Sequence, residues 1–281
     1  MSKITSYAAA GRVTTGFSKP YVAKYHENGG VVSFSDAMVL ARGVSVEISP
    51  DESSDNNFYA DNQLAESAAG TFTGGTITLT VDGLHEAAEK FIMGNPDRGG
   101  DGWVGIGDSQ SIPNVATAYV VRYMCGGVVM YRPEIIVKTK YNQIGTTANT
   151  QGEDIDWQTK ELSGVIMRGD DANHNWKLLG NDWSTEAEAV TELVTKLGGS
   201  ATLYTVTQTL TKVTSSYTAD SIISGEDFAA FLTADDGYTI SSVTVTVGGA
   251  DVTSDTYNAD QNAVVINNVG GAVVITATAT E

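Results

Sequence analysis

One cysteine, five prolines, only 16 basic residues and no long apolar run set the first limits on this 281-residue chain. A lone Cys125 cannot form an internal disulfide, so stability has to come from packing or assembly. Its apolar strand-like surroundings mark it as a small buried hydrophobe. No window approaches the roughly 18 apolar residues of a membrane-spanning helix, and Met1-Ser-Lys-Ile-Thr lacks the apolar run of a signal peptide. The expectation is a soluble chain made in the cytoplasm, with no membrane insertion. Charged residues make up 18% of the chain, against about 25% in an average globular protein, and the net charge is −18. That surplus of acid disfavours a nucleic-acid grip, which requires clustered Lys or Arg. It is compatible with DNA passing by without sticking.

What is present is β-sequence. In Ala41–Ser49, Val44, Val46 and Ile48 alternate with Ser45, Glu47 and Ser49, and in Thr76–Val81, Ile77, Leu79 and Val81 alternate with threonines. Each pattern predicts a strand with one buried face. Between them runs SPDESSDNNFYADNQLAESAAGTFTGG, read as a polar loop far longer than the roughly 2–5 residues of a hairpin connection. Its Phe58-Tyr59 pair amid acids and amides points to ordering by a neighbouring surface. Further along, Tyr119–Met124 and Val128–Arg132 flank Gly126-Gly127, a dipeptide suited to a tight hairpin turn. Ile135–Lys140 continues after Pro133, a residue expected at a strand start or edge, and 157–167 offers a further strand pair. Helical spacing recurs at Leu84, Ala87, Ala88, Phe91 and Ile92. It recurs again at Ala187, Val190, Val194 and Leu197, after the capping box Thr185-x-x-Glu188 and before the stop Gly198-Gly199. Strands dominate without helix alternation, so the fold class is mainly β with a minor helical component: a β-sandwich or barrel flanked by helices.

Composition breaks near residue 200. All four Trp, all three His and 15 of the 16 basic residues precede it, leaving Lys212 against nine acids in 201–281 for a net charge of −8. Short alternating segments at 240–247, 264–266 and 273–278, separated by Gly-Gly and Asn-Asn turns, predict a second, immunoglobulin-like β-sandwich. The domain boundary is therefore placed at 1–199 and 200–281. The C-terminal module is expected to fold on its own and project outward, with Tyr238 and Tyr257 as its notable aromatics.

NFYADNQLAESA (57–68) and GTFTGGTITLTVDGL (70–84), together with Arg122-Tyr-Met124, Tyr131-Arg-Pro133, Lys140-Tyr-Asn-Gln143, Asp154-Ile-Asp-Trp-Gln158 and Ala172-Asn-His-Asn-Trp176, resemble the major tail (tail tube) proteins of long-tailed, non-contractile bacteriophages of Gram-positive hosts. The stretch DDGYTISSVTVTVGGADVT (235–253) resembles the bacterial Ig-like modules appended to phage structural proteins. The resemblance implies a structural virion protein of the tail, made in the host bacterial cytoplasm. Six copies would form a ring, and rings would stack into a tube that conducts DNA during ejection. The long loop would bridge subunits or rings, with Phe58, Tyr59, Asp61, Asn62 and Leu64 as interface candidates. Partners would be the chain itself, other tail proteins, passing DNA without specific binding and, weakly, host-surface glycans at the C-terminal module. No cofactor, metal or catalytic residue is implied. A cell-surface or carbohydrate-binding β-module protein is the alternative function.

Enzyme-like motifs are sparse. Gly107-Asp-Ser109 with Asp171-Ala-Asn-His174 is the skeleton of a serine esterase, the third reading, but over a hundred residues precede Ser109 and the αβ alternation of that family is missing. His26, His85 and His174 are scattered, without zinc-ligand spacing. Asp97, Asp101 and Asp108 lack the order and terminal Glu of a calcium loop.

Overall fold

The computed structural model describes residues 11–54, 56–68, 70–97, 99–108, 110–150 and 157–281. The protein is mainly β, 53% strand against 9% helix, and divides into two compact units, Met1–Gly199 and Ser200–Glu281.

The first unit contains strands β1 (Val13–Asn28), β2 (Val31–Val39), β3 (Gly43–Glu52), β4 (Asn56–Ala60), β5 (Gln63–Ala68) and β6 (Phe72–Val81), then helix α1 (Glu86–Met93). Strands β7 (Val115–Cys125), β8 (Val128–Tyr141), β9 (Lys160–Met167) and β10 (Lys177–Leu179) follow, and helix α2 (Glu186–Lys196) closes it. One antiparallel sheet runs in the order β2-β1-β7-β8-β9-β6-β3 and forks at β8. There β9 pairs with Lys138–Tyr141 while β10 pairs with Glu134–Ile136. The sheet also curls: a β-carbon on Gly43 of β3 would lie 2.2 Å from the Phe17 ring of β1, so these strands approach one another without pairing.

Alternation decides which residues fill the curl. Ile77, Leu79 and Val81 of β6 and Leu162 and Ile166 of β9 are buried in one cluster with Val115, Tyr119, Val121, Ile136 and Tyr141. Helix α1 caps that cluster with Ala88, Ile92 and Met93. The opposite face of β7 and β8 carries α2, whose Ala189, Val190, Leu193 and Val194 are buried. Thr185 is the N-cap of α2, accepting from Glu188 N at 3.3 Å, while the Glu188 carboxylate takes the Ser184 and Thr185 hydroxyls at 3.1 Å. The hairpin turn at Gly126-Gly127 forms as expected, at φ 57° and 84°; only glycine adopts two such residues without cost.

Three sequence expectations are corrected. The segment 157–167 gives one strand, β9, beginning at Lys160, and not a strand pair. Val44 does not point inward with Val46 and Ile48 but is 55% exposed. A bulge between Gly43 and Ser45 leaves it without a cross-strand partner and turns it out of the alternation. Pro133 lies inside the continuous strand β8, opposite Val120 of β7. On its other side the regular ladder with β10 gives way: Gly180 N donates to Pro133 O at 2.8 Å, and the next amide, Asn181 N, donates to Glu192 instead. An irregular stretch of this kind does not require the N–H that proline lacks.

The second unit is a two-layer sandwich. Its strands are β11 (Leu203–Thr211), β12 (Val213–Ser215), β13 (Ser221–Ile223), β14 (Phe228–Ala234), β15 (Thr239–Val247) and β16 (Ala250–Asp251). After the one-turn helix α3 (Thr253–Thr256) come β17 (Tyr257–Asn258), β18 (Ala263–Ile266) and β19 (Val273–Thr280). The sheets run β13-β11-β19-β15-β16 and β12-β14-β18-β17. The second order is that of the A-B-E-D sheet of an immunoglobulin sandwich. In the facing sheet the single strand β19 pairs antiparallel with β15 and parallel with β11, where that fold uses two strands. The chain passes between sheets at Lys212, which has φ 56°. Val206, Val245, Ile275 and Ala277 meet Phe228, Leu232, Val264 and Ile266 between the layers. Phe228, fully buried against the Tyr217 ring at 4.5 Å, is the largest of these anchors; removing such a ring costs about 3–5 kcal/mol.

Candidate subunit interface

The segment expected as a long loop between Ser49 and Gly75 is a paired arm. Strands β3 and β6 stay paired out to Glu52 and Phe72, with a register shift between Asp51 and Glu52. Pairing then resumes between β4 and β5, with Asn57 opposite Ser67, Phe58 opposite Glu66 and Ala60 opposite Gln63. Asp61 and Asn62 form the tip at φ 51° and 63°. Positive φ at both central residues is the requirement of a type I′ turn, which Asp and Asn tolerate better than other non-glycine residues. In the sequence of the arm the apolar residues Phe58, Tyr59 and Leu64 do not recur with a period of two, so hydrophobic periodicity gave no sign of strands. The Asp-Asn dipeptide was the available signal.

The root of the arm is anchored. Ser53 N donates to Thr71 O and Thr71 N to the Ser53 hydroxyl, both at 2.9 Å. Gly70 fits there because a β-carbon would stand 2.0 Å from Ser53 O. The Phe72 ring stacks on Trp176 at 4.7 Å with the planes 7° apart, and Arg168 Nε donates to Phe72 O at 2.7 Å. Trp176 belongs to a loop pinned in turn by Asp170, which accepts from the Tyr25 hydroxyl at 2.8 Å and from Lys138 at 2.7 Å. The Lys138 hydrogen bond, then that of Tyr25, holds the Asp170 carboxyl below its ordinary range. Burial, the largest cause, raises the Tyr25 phenol to about 12. The motif Ala172–Trp176 is thus the seat of the arm.

Beyond that root, β4 and β5 form a two-stranded sheet of their own, hydrogen-bonded to no third strand among the described residues. At about 3.4 Å per residue the five-residue strand β4 is roughly 17 Å long, and a hairpin of this kind is marginally stable alone. All five candidate residues fall on it: Phe58 and Tyr59 on β4, Leu64 on β5, and Asp61 and Asn62, both exposed, in the turn. The large sheet also ends in two strands, β2 and β3, each paired on one side only among the described residues. Such edges carry unpaired backbone groups able to take another strand. Pro50, Asp51 and Glu52 protect the outer end of β3, and Asp36 at φ 54° interrupts β2.

Charge clusters elsewhere are structural. Arg132 donates to both carboxylate oxygens of Asp182 at 2.8 and 2.7 Å, and Arg12 approaches the same group at 3.4 Å. Buried Glu134 pairs with Lys177 at 2.7 Å and accepts from the Tyr123 hydroxyl at 3.1 Å. Burial first, then the Glu134 carboxylate, raises the Tyr123 phenol to about 12. These contacts and the Trp183–Tyr131 bridge fasten the segment after β10 onto β8. The Arg132–Asp182 pair was not legible in the sequence, because its partners lie 50 residues apart.

The enzyme-like motifs have other engagements. Ser109 lies outside the described residues. The Asp171 carboxylate accepts from Asn175 N and Nδ2 at 3.0 and 2.7 Å, while His174 Nδ1 faces Gly169 O at 3.2 Å. His26 meets the Ser35 hydroxyl, and His85 Nδ1 caps α1 by accepting from Ala88 N. Asp97 pairs with Lys90, and Asp101 accepts from Trp103 N. Among the described residues no group of three or more His, Cys, Asp or Glu is placed to hold a metal ion, and no helix is long and apolar enough to cross a membrane. In the second unit Lys212 stands 5.1 Å over the Tyr238 ring and the Tyr257 hydroxyl bonds Asn262, so the aromatic left exposed is Phe231, on an outer sheet face. No protein-family model matches the chain, and no curated protein is significantly similar to it.

Proposed function

We propose that the protein is a self-assembling structural subunit of a phage tail tube, six copies to a ring and rings stacked around a DNA channel. The observation that carries this reading is the arm: a hairpin with a firmly anchored root and, among the described residues, no third strand to support it. Backbone groups of β4 and β5 that no third strand of the same chain takes, among the described residues, suit pairing with a neighbouring copy. The one-sided strands β2 and β3 suit lateral contact. Two different edges meeting between copies make a head-to-tail interface, which closes into a ring when the rotation allows. The net charge of −18 fits a channel that repels phosphates and lets DNA slide. The compact second unit is an accessory module, dispensable for the tube.

Deletion of residues 53–70 tests the reading. The expected product is a folded monomer whose unfolding is close to that of the full chain but which forms no rings or tubes under the electron microscope. Unchanged tube formation would remove the arm from the assembly.

A further inference from the structure

Asn28-Gly29 is the one place in the sequence where an asparagine precedes a glycine, and the fold sets it at the turn between β1 and β2. Strand β1 ends at Asn28, strand β2 begins at Val31, and these two residues pair across the turn. Gly29 and Gly30 span it at φ 59° and 81°, the two positive values of a type I′ turn. Two groups that react with each other are both left without a partner here. The Asn28 carboxamide makes no hydrogen bond among the described residues, and Gly29 N donates to none of them, whereas Gly30 N is tied to Glu27 Oε1 at 2.9 Å. Other asparagine side chains are held: Asn142 Nδ2 donates to Ser163, Asn175 Nδ2 to Asp171 and Asn181 Nδ2 to Glu192.

Nothing packs the turn shut. A β-carbon on Gly29 or Gly30 would meet no atom within 4 Å, Asn28 is exposed, and Val31 is 66% exposed. The Asn28–Val31 pair is the last rung of its ladder, and such ends open at little cost in free energy. Opening matters because an extended Asn28 holds its Cγ away from the next amide nitrogen. Glycine, with no β-carbon, neither blocks that approach nor resists the swing of the backbone.

We propose that Asn28 is a site of spontaneous self-modification in the folded chain. Gly29 N gives up its proton and bonds to Asn28 Cγ; the Cγ–Nδ2 bond breaks, and ammonia leaves with that proton. Water then opens the cyclic imide at either carbonyl. One opening gives aspartate, and the other gives isoaspartate, which routes the main chain through the former side chain. One water is taken up and one ammonia released, with nothing oxidised or reduced. Either product places a new carboxylate beside Glu27. Isoaspartate also lengthens the main chain by one methylene at the closing pair, so the β1–β2 ladder loses its last rung. Strand β2 is an outer strand of the large sheet among the described residues, so the change falls on a sheet edge. None of this requires the chain to assemble.

The test is peptide mapping of the full-length protein after incubation in mildly alkaline buffer at physiological temperature. Trypsin releases residues 25–42, between Lys24 and Arg42, in which Asn28 carries the sole side-chain amide. That peptide should gain the mass difference between an amide and a carboxylic acid, in two products of equal mass that separate by chromatography. Only the isoaspartate product should accept a methyl group from an isoaspartyl methyltransferase. The intact protein should acquire one negative charge beyond its −18 on a native gel. Gly29→Ala should slow the conversion several-fold although it strains a positive φ, and Asn28→Gln, which has a larger ring to close, should abolish it. An unchanged 25–42 peptide from the native protein would overturn the proposal, all the more if the same peptide converts once the chain is denatured in urea, because the turn would then protect Asn28. Conversion of Gly29→Ala at the unsubstituted rate would overturn the assignment of Gly29 N as the attacking atom.

Discussion

Replacing Asp61 and Asn62 together by valine attacks the arm at its tip. Both residues hold positive φ, 51° and 63°, where a β-branched side chain costs roughly 1–2 kcal/mol per residue. The pair should therefore cost the closed hairpin about 2–4 kcal/mol. A two-stranded sheet without a third strand is close to balance, so the ratio of paired to unpaired arm should fall roughly 30- to 900-fold. The root should not follow, because Phe72 remains stacked on Trp176 and bonded by Arg168. Amide hydrogen exchange separates the two regions. Arm amides such as Phe58 and Glu66 should lose protection in the double variant while those of Ile77 and Leu79 keep theirs. Ring formation should fail in parallel, and Asn62→Gly should retain it. Unchanged exchange across the arm would refute the turn assignment. An opened arm with undiminished ring formation would refute the role given to the arm.

Other consequences follow from the same geometry. The Asp182 side chain is 2% exposed beneath a bidentate Arg132, so Asp182→Ala should cost about 3–5 kcal/mol in calorimetry of the first unit, and replacing both partners with apolar residues should cost far less. Asp170 has a depressed carboxyl pKa; its stabilisation is therefore present above the ordinary carboxyl value of about 3.9 and lost as pH falls through its lower folded value. The stability difference between the unsubstituted chain and Asp170→Asn, followed by thermal melts, should shrink between about pH 5 and pH 2. Truncation after Gly199 should leave a soluble chain that still forms rings; soluble protein unable to do so would place the second unit in the assembly core.

Sequence patterning was a good guide wherever one face of a strand is buried. Ile77, Leu79 and Val81, the Gly126-Gly127 turn, the Thr185 cap and the strands at 239–247 and 273–280 stand where alternation and turn chemistry put them. It failed at three kinds of place. In the hairpin at 56–68 the apolar residues Phe58, Tyr59 and Leu64 follow no period of two, so a periodicity of apolar residues could not reveal it. Val44 and Pro133 obey the rules for regular strands only where strands are regular, and a bulge and an interrupted ladder override those rules. Strand β10 and the Arg132–Asp182 and Phe72–Trp176 contacts depend on partners 41 to 104 residues apart. Spacing along the chain carries no information about such meetings. Of the candidate interface, the sequence marked the segment, as a loop, but neither its hairpin turn nor the aromatic seat that fixes its root.

The most direct test of the account is the size and shape of the purified full-length chain as its concentration rises. Mass photometry should show a species of six times the 29.5 kDa chain appearing at the expense of monomer, and negative-stain microscopy should show rings with a central channel that stack into tubes. A chain that remains monomeric across concentration and salt, with no rings in any field, would contradict it.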